Sequence, residues 1–164
     1  MQNRLQYEFI FPFSIVNKVH NFTRFTLSEL SQVVELQRVA LNAAENQTAA
    51  SVIQNTINGL GIGSTIMSLV FTNKTAVGVA AGLYSIISLG LGGTDYFKNG
   101  LRSGLNKTLS HFTWFAQNTS RYKRIEVELA FVEYQSGGER TRYIIGAGPI
   151  TGMQSLDGSW VRAS

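Results

Sequence analysis

The chain has 164 residues, with 14 Lys and Arg against 10 Asp and Glu, and no cysteine. That length buries the core of one domain and is short for two; the lack of cysteine excludes a disulfide framework, a thiolate metal site and a catalytic thiol. Only 15% of residues are charged where an ordinary soluble domain has about 25%, so the surface suits an assembly, a membrane or the outside of a cell.

The first residues lack a basic segment followed by a compact apolar one, so no signal peptide is expected. Leu5, Tyr7, Phe9, Phe11, Phe13 and Ile15 then alternate with other residues, a period that predicts a strand over 5–16. Pro12 lacks an N–H and argues for an edge position or a break.

A helix start follows. Thr26 and Glu29 stand at capping-box spacing and Phe25 and Leu30 at the positions of a hydrophobic staple, which predicts a helix from Leu27. Its stripe of Leu30, Val33, Leu36, Ala40 and Ala43 is amphipathic as far as Glu45. Between Asn46 and Thr94 the only formal charge is Lys74, in a Thr72-Asn73-Lys74 turn. Two apolar helical arms joined by so short a turn lie antiparallel. The expectation is one long helical hairpin over 27–118 with an apolar, Gly-rich tip at 57–93. A return to period two at Ile125, Val127, Leu129 and Phe131, with turn residues at 136–139, predicts a β-hairpin over 124–147. Residues 148–164 read as an irregular tail anchored by Trp160. The expected fold is thus α+β, a single domain in which this hairpin stands on a small antiparallel sheet made from the N-terminal strand and the C-terminal β-hairpin.

An uncharged hairpin must bury itself in lipid or in protein. Gly59, Gly63, Gly78 and Gly82 form two G-x-x-x-G pairs suited to close helix contact, Lys74 and Leu83 belong to the tip, and Lys98, Arg102 and Lys107 follow it as a basic stem able to meet headgroups or phosphates. A hairpin with such a tip resembles, in architecture and hydropathy over about a third of the chain, those of colicin-type pore-forming domains and of spindle-shaped archaeal virus coat proteins. The resemblance implies insertion into a bilayer or packing between copies.

Chemistry is harder to find. His20 and His111 stand far apart and outside metal-ligand spacing, Glu126 and Glu128 share the polar face of a strand, and the glycines from Gly59 lack the Lys-Ser/Thr of a phosphate loop. The expectation is therefore a non-enzymatic protein without cofactor, metal or small-molecule substrate. Its leading form is a homo-oligomeric, membrane-active protein that inserts the hairpin. Its alternative is a self-assembling structural subunit of a virion or extracellular filament. The expected partners are a lipid bilayer or other copies of the chain, with nucleic acid a lesser alternative, and the expected location is a membrane or an extracellular or viral assembly.

Overall fold

A computed structural model describes residues 8–10, 13–88, 93–136 and 139–163. Residues 5–7, 11 and 12 of the expected first strand lie outside them. Strands β1 (Glu8–Ile10) and β2 (Phe13–Phe25) are followed by helices α1 (Leu27–Asn46), α2 (Ala50–Leu60), α3 (Ser64–Phe71), α4 (Ala76–Ile87) and α5 (Gly93–Ala116), then strands β3 (Tyr122–Ser136), β4 (Glu139–Ser155) and β5 (Trp160–Arg162). The strands form one antiparallel sheet in the order β1-β2-β3-β4-β5. All five helices are thus inserted between two strands that lie side by side, with Phe25 opposite Ile125.

The switch from strand to helix is local chemistry. Glu29 N–H donates to the Thr26 hydroxyl at 3.2 Å and Thr26 N–H donates to the Glu29 carboxylate at 3.0 Å, while Phe25 and Leu30 are both buried as the staple requires. On β3, Ile125, Val127 and Leu129 face the core, and Glu126 and Glu128 take the outer face. Beyond a bulge at Ala130/Phe131 the arrangement changes. Phe131 and Val132, and across from them Tyr143 and Ile144, are consecutive residues that are all buried, so both faces of this end of the sheet are covered. Tyr143 meets Phe71 of α3 and Phe97 of α5 edge-on, at ring separations of 5.9 and 4.7 Å. Arg142 lies 4.3 Å over the Phe131 ring and donates to the carbonyls of Ser68 and Leu69 in the last turn of α3, where a cation complements the helix dipole.

Helix α5 packs against both α1 and β4. Between the two helices Gln37 and Thr108 are buried, and the Thr108 hydroxyl lies 2.6 Å from Gln37 Oε1. The α5 contact with β4 is made through glycine. A Cβ on Gly104 would overlap the Ile144 carbonyl oxygen, and one on Gly100 would stand 2.9 Å from Ile145 Cγ2.

The α+β mixture is present, but the long helical hairpin with a free apolar tip is not. Residues 46–94 are broken into helices of 11, 8 and 12 residues. Gln47, Gly61 and Thr72 adopt left-handed conformations at the ends of α1, α2 and α3, and the Thr75 hydroxyl caps α4 by accepting from Gly78 N–H. The supposed tip is part of the core, for Ile57, Ile66, Met67, Val70, Phe71, Val79, Leu83 and Ile86 are all buried in the chain's own fold. The physical reason is that helix-ending residues at 61–63 and 72–75 permit reversals, and the sheet supplies an apolar surface the short arms can cover.

Candidate self-association surface

Helices α2 and α4 pack on each other, and each hides one side. On α4 the buried residues are Ala76, Val79, Ala80, Gly82, Leu83, Ile86 and Ile87. That leaves Val77, Ala81, Tyr84 and Ser88, spaced at three or four residues, on the exposed side. On α2, Ile53 and Ile57 point inward and Ser51, Val52, Asn55, Thr56, Asn58 and Leu60 point outward; on α3, Ser64 and Thr65 are exposed. Val77 is 57%, Val52 52% and Tyr84 44% exposed, so large apolar side chains remain uncovered on two neighbouring helices.

The polar groups of this surface are already partly satisfied. The Thr56 hydroxyl donates to the Val52 carbonyl and that of Ser85 to the Ala81 carbonyl, both at 2.8 Å, and Ser68 donates to the Thr65 carbonyl at 3.1 Å. A hydroxyl bonded to its own helix loses little when water is removed, whereas the outward side chains of Ser51, Asn55, Asn58, Ser64 and Thr65 keep donors and acceptors for a covering partner to meet. Lys74 is its one formal charge and is exposed. A shallow groove of about 280 Å³ between α1 and α2 adjoins this surface through Val52 and Thr56, and on its α1 side it is lined by Arg38, which is paired with Glu35, and by Val39, Asn42 and Ala43.

The residues singled out in the sequence are scattered by the fold. A Cβ on Gly59 or Gly63 would meet nothing within 4 Å, and one on Gly78 would meet only Asn73 and Thr75 of its own turn. Gly82 faces Thr141 of β4, and Leu83 is fully buried. In the basic stem, Lys98 stands 3.7 Å from Asp95 and Arg102 3.0 Å from Glu45, each an ion pair within the helical layer. Lys107 is exposed at a depression it shares with Ser110, His111 and Gly148.

The titratable groups do not converge. His111 Nε2 lies 2.7 Å from the Gly148 carbonyl, which accepts its proton and fixes the ring. His20 stands 3.4 Å from Glu128 on the exposed sheet face. Among the described residues no three His, Asp or Glu side chains gather as a metal site would require. Burial raises the Tyr143 hydroxyl well above its ordinary value, and Tyr134 is raised for the same reason.

On the sheet's outer face the register brings together residues that the sequence keeps far apart. Arg24 lies opposite Glu126, Glu126 opposite Gly152, and Gly152 opposite Arg162. The strand expected over 5–16 stops short of Arg24, and the tail expected to be irregular over 148–164 instead carries the end of β4 and all of β5. The strand-favouring Val19, Phe22, Thr23 and Phe25 were a compositional signal for the longer β2, whereas nothing in the sequence marks Arg142 as the residue that caps α3.

Comparison with known proteins yields no match, whether to a family model, to a curated protein or to a solved structure. The functional reading therefore rests on the surface itself.

Proposed function

We propose that the protein is a non-enzymatic, self-assembling structural subunit, and that the exposed side of α2, α3 and α4 is the surface its copies cover. The observation that carries this is the combination of exposed Val52, Val77 and Tyr84 with hydroxyls turned onto their own helices and one formal charge. A second copy is the occupant favoured by charge. The chain carries an excess of +4, yet this face holds only Lys74, so two copies can meet across it without like-charge repulsion. Completing the burial of Val77 or Tyr84 is worth about 1 kcal/mol each.

Insertion into a bilayer keeps one supporting observation: Ser64–Ile87 is apolar enough over its length to cross a membrane. Half of that segment is buried in the protein, however, and it is interrupted between α3 and α4. At 12 residues α4 spans roughly 18 Å of a hydrocarbon core about 30 Å thick. Insertion would also strip Val79 and Leu83 from the core they fill.

Light scattering on a size-exclusion column, with negative-stain imaging, tests the proposal. The wild-type chain is expected to form discrete oligomers or ordered assemblies. Val77→Glu and Tyr84→Glu, on one side of α4, should each shift it to monomer while the far-UV circular dichroism stays unchanged. A monomeric wild-type protein at high concentration, or dye release from vesicles in place of assembly, would overturn it.

A further inference from the structure

The outer face of the sheet carries a feature that self-association through the helices does not use. We propose that the depression lined by Arg24, Lys123, Arg124, Gln154 and Trp160 is a phosphate-binding site, with Arg24 as its central ligand. The depression is shallow and open, with a volume of about 540 Å³, and Thr26 lines it toward the start of α1.

Arg24 is held in place from two sides. Its Nε donates to Glu126 Oε2 at 3.0 Å, and its guanidinium carbon stands 4.0 Å over the Trp160 ring. Glu126 is itself fixed, because the Thr151 hydroxyl donates to its other oxygen at 3.0 Å. These bonds hold the Glu126 carboxyl below its ordinary pKa. The Trp160 ring in turn rests on a glycine: a Cβ on Gly152 would come within 3.5 Å of Trp160 Cε3. An aromatic side chain laid across a cross-strand glycine keeps that ring in place.

The consequence concerns the unused part of the guanidinium. With Nε committed to Glu126, the two Nη groups of Arg24 make no hydrogen bond among the described residues. A planar fork whose rotamer is already fixed by stacking and by a carboxylate is prepared for bidentate contact with an oxyanion, with little further entropy to lose. Arg124 and Lys123 stand exposed in the same depression, Arg124 outside any ion pair among the described residues and Lys123 with its ammonium by Gly158, where it also acts on the Asp157 carboxylate. Lys123 owes its position to the irregular register between Tyr122 and Arg124.

Phosphate fits this arrangement better than carboxylate. A planar carboxylate is satisfied by one fork, whereas the tetrahedral, multiply charged phosphate offers oxygens to Arg24, Lys123 and Arg124 together. Stacking of a nucleobase is not part of the site, since the Trp160 ring is already covered by Arg24 and lies against Gly152 at Cε3. The recognised chemistry is the phosphate group alone, whether from a free polyphosphate, a phosphodiester backbone or a lipid headgroup.

Calorimetric titration with inorganic pyrophosphate, titration with an oligothymidylate and co-sedimentation with phosphatidic acid vesicles distinguish these sources. At least one should bind the wild-type protein. Arg24→Lys keeps the charge and loses the fork, and it should weaken that binding about tenfold. Arg124→Ala should weaken it severalfold, whereas Arg38→Ala, which removes an equal charge on α1, should leave it unchanged. The proposal is overturned if none of the three binds, if polyglutamate alone does, or if Arg38→Ala weakens binding as much as Arg24→Lys. Retained wild-type affinity in both Arg24→Lys and Arg124→Ala also overturns it, with circular dichroism confirming that the variants are folded.

Discussion

Gly100 and Gly104 are four residues apart on α5 and face β4, where a side chain at Gly104 would occupy the place of the Ile144 carbonyl. This pair brings α5 close to β4, as Gly82 brings α4 close to Thr141 of the same strand, whereas Gly59 and Gly63 meet nothing and Gly78 meets only its own turn. Spacing alone could not rank the three pairs, because a glycine four residues from another says nothing about which backbone approaches it. Gly104→Ala should cost about 2–3 kcal/mol, since the Ile144 carbonyl belongs to the backbone of a strand paired to β3 and can yield only if the strand shifts. Urea unfolding monitored by circular dichroism checks it, with Gly59→Ala, whose new methyl group meets nothing, as the contrasting variant. Glu126 carries a prediction of a different kind. Arg24 first, then Thr151, hold its carboxyl below the ordinary value of 4.5. The folded state binds the proton less readily than the unfolded chain, so the pair's stabilisation is fully present above about 4.5 and is lost as pH falls through the lowered folded value. Glu126→Gln should therefore melt below the wild type at pH 7, with the gap closing under strongly acidic conditions; a gap independent of pH would contradict the assignment.

At the scale of elements, the turn from β2 into α1 was fully legible. Thr26, Glu29, Phe25 and Leu30 are within five residues of one another, and the bonds they make are local. Thr26→Ala removes the capping hydroxyl and should cost about 1 kcal/mol, measurable as a lowered urea midpoint with unchanged slope. The segment 46–94 was legible in composition and not in path. Its lack of charge predicted burial, and most of its apolar residues are buried, but in α2, α3 and α4 and not in two long arms. Gly61 and Thr72 decide this by adopting left-handed backbone conformations. A glycine there is an obvious candidate to end a helix. A threonine is not, because a β-branched residue seldom adopts positive φ and does so only where its surroundings hold it. The Arg142 guanidinium on the carbonyls of α3 is part of those surroundings.

Across the whole molecule, the sheet separates two kinds of surface. The helical layer exposes a face with a single formal charge, while the start of β3 and the neighbouring strands gather Arg24, Lys123, Arg124 and Arg162. Salt should tell them apart. Association through α2–α4 is expected to persist or strengthen as salt rises, because burial of Val52, Val77 and Tyr84 drives it; phosphate binding should weaken, because screening acts directly on its charges. A light-scattering series in rising salt, run on the same samples as the pyrophosphate titration, measures both. Loss of assembly in high salt would assign the contact to the charged sheet face instead.

The α+β mixture, the start of α1, the alternation of β3 and the scarcity of charge over 46–94 are all written in residues close together in the chain. Where the apolar segment is buried, and which glycines are in close contact, follow instead from how the distant elements pack. So does the meeting of Arg24, Glu126, Gly152 and Trp160. Those outcomes depend on strand register and on backbone reversals, which bring together residues more than a hundred positions apart. A charge-free segment must leave water, but its own composition does not say whether it meets lipid, another copy or the sheet of its own chain.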